Sequence, residues 1–156
     1  MAELPPELQR ILDEADIRQL SINYGLGTDA IGRRDKAAGI ALYQATFTEK
    51  AAIQVGGADS TARLGAVAWA GYVDEHFRSR NYKASQHLLG TINVVVAADR
   101  QSAEMTSYLH ATHVVDGVPR VFIALGTYVD AVVMTPAGWR IAQRTLWPTA
   151  SWWRDT

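Results

Sequence analysis

Three side chains in this sequence are of types that can together form a small acid–base device: the phenol of Tyr24, the carboxylate of Asp29 and the imidazole of His87. Imidazole is the side chain whose unperturbed proton affinity lies near neutral pH, so His87 can act as a general base. A carboxylate on its Nδ1–H would fix the tautomer and raise the basicity of the other nitrogen. Such a pair needs no Ser or Cys nucleophile to take a proton from carbon or to activate water. Tyr24 can donate a hydrogen bond to a carbonyl or a leaving oxygen. Each residue also has a plainer reading: His87 as a solvated strand-end imidazole, Asp29 as a helix-end acid, Tyr24 as a packed ring with a wet hydroxyl. A late arginine, Arg144, is available for an anionic substrate or leaving group, or for solvation on a strand face.

These residues must be positioned by the elements around them. Leu4-Pro5-Pro6 is a stiff lead-in, and Pro6 suits a helix start. Leu8, Ile11, Leu12 and Ala15 step at helical period, and Asp16 is placed to cap a second helix whose stripe is Ile17, Leu20, Tyr24, Thr28 and Ile31. Tyr24 and Asp29 are five residues apart, about 140° around an ideal helix. The reading therefore requires the helix to end or bend at Gly25 or Gly27. A third helix is expected over 35–47, a strand over 51–55, a turn over 56–60 and a helix over 64–78. From residue 85 the chain becomes rich in Val, Thr, Tyr and Ile, and four antiparallel strands are expected at 85–97, 102–116, 119–134 and 138–147. Helices first and a long meander last predict an α+β fold in one domain over 1–156, a cone-shaped curved antiparallel sheet closed by N-terminal helices. Within it Leu20, Ile53, Trp69, Leu109, Ala111, His113 and Tyr128 are expected to line a pocket for a small, mostly apolar, ring-containing substrate. His110 and His113 fall on opposite faces of their strand. Alternation groups His113 with Leu109 and Ala111, though which histidine faces the pocket stays open. His76 reads as a solvated helix residue. Period two puts Arg140, Ala142 and Arg144 on one strand face and Trp139, Ile141 and Gln143 on the other.

Composition narrows the function classes. Net charge is −1 and no Lys/Arg run occurs, so neither nucleic acid nor an anionic membrane is an expected partner. With no cysteine there are no disulfides, thiolate nucleophiles or thiolate-held metals. No apolar run approaches the roughly 20 residues that cross a bilayer, and Met-Ala-Glu-Leu-Pro-Pro does not read as a signal peptide. A cytoplasmic location is the expectation. Dinucleotide fingerprint, P-loop, nucleophile elbow and His-Glu-x-x-His are all missing. Chemistry without cofactor or metal is therefore expected. Trp147, Trp152, Trp153 and the outer sheet face are more apolar than a monomer surface, so a homo-oligomer, dimer or trimer, is expected.

The ordered set Asp16-Ile17-Arg18-Gln19-Leu20, Tyr24, Asp29, Phe47-Thr48-Glu49-Lys50-Ala51, His87, Gly126-Thr127-Tyr128-Val129-Asp130, Gly138-Trp139-Arg140-Ile141 and Arg144 resembles the SnoaL-like branch of the nuclear-transport-factor-2-like superfamily. Within that branch it is similar to scytalone dehydratase, bile-acid 7α-dehydratase and hexachlorocyclohexane dehydrochlorinase. The resemblance implies a cofactor-free lyase with a His–Asp dyad, His87 and Asp29. Tyr24 would stand at the dehydratase tyrosine, Arg144 at the arginine that assists the leaving group, and His113 near a second histidine. Many members carry an arginine where Val132 and Val133 stand here, and the C-terminal tail is shorter than some lyase lids. The superfamily also holds isomerases, cyclases and non-catalytic binding modules, which remain alternatives.

Overall fold

Residues 4–57 and 60–156 are described by a computed structural model; Met1 to Glu3 and the Ala58-Asp59 part of the expected turn lie outside them. Pro6 opens the first helix, α1 (Pro6–Gly32). It is one helix where two were expected. No proline or glycine falls between Glu7 and Tyr24, so nothing breaks the helix at Asp16, an exposed mid-helix residue rather than a cap. Its inward face begins with Asp13 and continues through Ile17, Leu20 and Tyr24, while Leu8, Ile11 and Leu12 point to solvent. The second helix, α2 (Lys36–Thr46), starts where the Asp35 carboxylate accepts the Ala38 N–H at 3.1 Å. Strand β1 (Phe47–Val55) follows, then the two-residue β2 (Arg63–Leu64) and the helix α3 (Gly65–Ser79).

The rest is sheet: β3 (Tyr82–Val96), β4 (Ser102–Val115), β5 (Arg120–Thr135) and β6 (Gly138–Asp155). Among the described residues the sheet has six strands in the order β2-β1-β6-β5-β4-β3. The β3–β6 meander is antiparallel, whereas β1 pairs with β6 in parallel. Strand β6 runs eight residues beyond its expected end through Pro148. β1 pairs with it only as far as Leu146, and the β5 register shifts at Gly126–Pro148, so the missing proline N–H breaks no regular ladder. The alternation in β4 is strict: Ala103, Met105, Ser107, Leu109, Ala111 and His113 are buried under the helices.

Register shifts bend the long strands. In β6, Gln143 pairs with Ala131 and Ile141 with Val132, leaving Ala142 as a bulge. The extra residue overturns the expected alternation, so that Arg144 shares the inner face with Trp139 and Ile141. At the other end of the core, buried Asp13 accepts from Arg100 Nε at 2.6 Å and from Trp139 Nε1 at 3.1 Å. It thereby joins α1 to the β3–β4 turn and to the start of β6. The Arg100 hydrogen bond, working against burial, holds the Asp13 carboxyl below the usual carboxylate range. Its stabilising contribution is thus present above the unfolded carboxylate pKa and is lost as pH falls through the lower folded one. Asp13→Ala, which strands the buried Trp139 N–H, is expected to lower stability by about 1–3 kcal/mol in urea unfolding. The loss should be sub-additive with Trp139→Phe.

Candidate active site

The last turns of α1 are buried nearly all round, with β3 on one side and α2 on the other. The expected bend does not occur, and the helix is continuous through Gly25 and Gly27. These glycines serve close approach instead. A Cβ on Gly25 would come within 2.8 Å of Leu89 Cδ1, and one on Gly27 within 3.0 Å of the Tyr43 ring. With neighbours on both sides, residues 140° apart on one helix can each serve the same site from different angles.

Asp29 points to β3. Its Oδ1 lies 2.7 Å from His87 Nδ1 and accepts Ser85 Oγ at 3.1 Å, while Oδ2 accepts the His87 backbone N–H at 3.1 Å. A carboxylate partner assigns the proton to Nδ1, leaving Nε2 as the basic nitrogen. His87 is one wall of a cavity of about 220 Å³. Tyr24, Trp69, Leu109, Ala111, His113 and Tyr128 line the same cavity, so most of the residues singled out in the sequence meet there. Leu20 and Ile53 do not; they are buried in the core away from the wall. His113 is the inward histidine of its strand and His110 the exposed one.

Behind the wall lies Arg144, fully buried. Its Nε and Nη2 donate to Asp130 Oδ1 and Oδ2 at 2.7 Å each, and its guanidinium carbon sits 4.2 Å from the Tyr24 ring centre and 4.5 Å from that of Tyr128. The expected direct contact of Arg144 with a leaving group is not what this packing offers. The cation instead supports the two phenols that face the cavity. Tyr128 O–H donates to the Tyr24 oxygen at 3.4 Å. Thr28 donates to the Tyr24 carbonyl, so Tyr43 O–H donates to Thr28 Oγ1 at 2.6 Å. Burial pushes the Tyr43 and Tyr128 phenols well above their ordinary pKa, keeping them neutral donors.

The sequence reading left His76 to solvent, but it lines the cavity, 6.0 Å from Tyr72 ring to ring. The signal was available: His76 falls two helical turns after Trp69 and four residues after Tyr72, on one face of α3. Burial and the nearby Arg80 lower its pKa. His113 is held more firmly neutral. Burial, helped by the neighbouring His87 and His76, pushes it down to about 3. Its ring stacks on Tyr82 at 4.6 Å and stands 5.4 Å from His87, with Nδ1 unpartnered among the described residues. No group of three or more His, Cys, Asp or Glu among those residues is arranged to hold a metal.

A pH consequence follows from His113. Its folded pKa lies below the unfolded value, so between pH 6.5 and about 3 the unfolded chain binds the extra proton. The stability associated with neutral His113 is present above the upper limit and is lost as pH falls toward the lower one, with a slope of up to about 1.4 kcal/mol per pH unit. Denaturant titrations across this window should show a shallower acid loss in His113→Phe than in the wild type.

A model of the SnoaL-like domain matches residues 9–145. No curated protein matches the chain. Among solved structures, a hexachlorocyclohexane dehydrochlorinase from Novosphingobium barchaimii is similar at a TM-score of 0.77 and 12% identity, over 95% of this chain and 94% of that one. A protein provisionally named a scytalone dehydratase from Novosphingobium aromaticivorans gives 0.71 and 19%, over 94% and 89%. One from the same organism provisionally named an aromatic ring hydroxylase gives 0.73 and 23%, over 99% and 96%. At these identities the likeness is one of fold.

Proposed function

Because the chain belongs to the SnoaL-like domain family, we propose that it is a cofactor-free lyase, of dehydratase or dehydrohalogenase type, acting on a small ring-containing substrate. The observation that carries this reading is the 2.7 Å contact of His87 Nδ1 with Asp29 at the wall of a largely apolar cavity. Asp29 receives three donors, from Ser85 and twice from His87, so it is ordered before any substrate arrives. His87 Nε2 takes a proton from a ring carbon. The C–H electron pair becomes the new double bond, and the bond to the leaving hydroxyl or halide breaks on the neighbouring carbon. The imidazolium that forms is stabilised by Asp29. Tyr24, whose oxygen accepts the Tyr128 O–H, keeps its own O–H to donate to a departing oxygen, and Arg144 acts behind the two phenols as a positioning residue. Similarity in fold to proteins named for a dehydrochlorinase and a dehydratase supports elimination over the isomerase, cyclase and binding-module alternatives.

Hydroxylated and halogenated ring compounds, assayed for loss of water or halide, are the appropriate test panel. His87→Ala and Asp29→Asn are each expected to lower kcat by roughly 10²–10⁴-fold while leaving the fold intact by circular dichroism. Turnover undiminished in both variants would sink the dyad.

We also read the protein as a homo-oligomer. Leu88, Tyr108, Trp147 and Trp152 are exposed on the sheet, as are Leu8, Ile11 and Leu12 on α1. Light scattering coupled to size exclusion should return a dimer or trimer; a monomer at micromolar concentration would contradict it.

A further inference from the structure

The edges of the sheet are not treated alike. At one end of the strand order, β3 lies along α1, and the His87 backbone N–H donates to Asp29 instead of facing solvent. At the other end, β2 is only two residues long. Covering an edge and shortening it are both ways of keeping it from pairing with another chain. The last part of β6 has neither protection. β1 pairs with β6 as far as Leu146, while β6 goes on pairing with β5 to Asp155. Every residue from Trp147 to Asp155 is exposed. Among the described residues, no backbone group of this run is paired on the side that β1 has left. The run is also unguarded by charge. Thr149-Ala150-Ser151-Trp152-Trp153 carries none, and it holds residue types that favour strands. Neighbouring strand residues point to opposite faces, so Trp152 and Trp153, 43% and 45% exposed, flank the edge above and below.

We infer that this edge pairs with the same edge of a second copy, the two β6 tails running antiparallel about a two-fold axis so that both sheets become one. A row of free N–H and C=O groups is matched by another extended strand. The tail is itself such a strand, and two copies of it satisfy each other at once in an isologous contact. Its charges lie at the far end, where Asp155 is already bound to Arg120 at 2.8 Å. With the antiparallel tails overlapping over residues 149–154, Arg154 lies opposite Thr149 of the partner subunit, so like charges do not meet. Trp153 packs at 5.0 Å on Phe122, a residue of the cavity wall, so pairing of the tails also fixes that wall. This inference rests on the reading of the protein as a homo-oligomer and narrows it to a two-fold dimer joined through β6.

Light scattering coupled to size exclusion, on the full chain at micromolar concentration, should return a dimer. Ala150→Lys/Ser151→Lys places like charges on the exposed run and should weaken association by about tenfold or more, with the circular dichroism spectrum unchanged. Leu88→Lys/Tyr108→Lys, on the outer face of the sheet, should stay dimeric. A geometric readout does not depend on either variant. The chain has no cysteine, so Ser151→Cys takes a single nitroxide label. Paired strands lie about 4.8 Å apart, and the two labels of a dimer should be within roughly 20 Å of each other by electron–electron resonance. The two readings fail separately. A monomeric wild type removes both the oligomer and the β6 contact. A trimer, a dimer dissolved by Leu88→Lys/Tyr108→Lys but not by the tail variant, or a dimer without the short label distance keeps the oligomer and overturns the pairing through β6.

Discussion

A carboxylate in the last turn of a helix faces the negative end of the helix dipole, and Asp29 occupies such a place with no basic residue in that turn. The position is tolerable because β3 supplies three donors, from Ser85 and twice from His87. Everything else about the site follows from bringing β3 close enough to do so. Gly25 and Gly32 face β3 where a Cβ would strike Leu89 or Ser85. On the far side of the same helix, Gly27 admits the Tyr43 ring, which stacks on Tyr24 at 5.3 Å. A local electrostatic conflict is thus resolved by a tertiary contact, and the contact is also what orients His87. Conflicts of this kind are expected where a sequence serves chemistry as well as folding.

Charge is distributed in two layers around the cavity. The deeper layer is self-compensated: Arg144 pairs with Asp130 between two tyrosine rings. Burying such ions costs several kcal/mol each unless they are paired with good geometry, and here the guanidinium grips both carboxylate oxygens at 2.7 Å. The inner layer is neutral or oriented: phenols kept protonated, His113 kept uncharged, and a single imidazole tied to a carboxylate. The arrangement gives a largely apolar cavity with one carboxylate-oriented imidazole at its wall.

Much of this was legible in the sequence because it depends on period and order. The β4 alternation correctly grouped Leu109, Ala111 and His113, and the long Val- and Thr-rich runs marked the meander. What was hidden depended on neighbours. The apolar stripe of Leu8, Ile11 and Leu12 looked like a core face, yet it is exposed because Asp13 takes the inward direction to reach Arg100 and Trp139. The glycines of α1 looked like weak points and are contact points. His76 was read by its charged neighbours, Glu75 and Arg78, rather than by its distance from Trp69. Pro148 looked like the end of a strand because nothing local shows that β1 has already left β6 by then.

The bulge at Ala142 is a one-residue phase shift written into the chain. Upstream of it the inner face of β6 reads Trp139 and Ile141, and downstream it reads Arg144. Without the shift, Gln143 would take the inward place, and the buried Asp130 would face an amide where it now holds a guanidinium. The polarity behind the two phenols is therefore set by the count of residues in a strand as much as by their identity. In a scaffold that hosts many chemistries, insertion or loss of one residue at such a point can change a pocket's electrostatics without a single substitution in its wall.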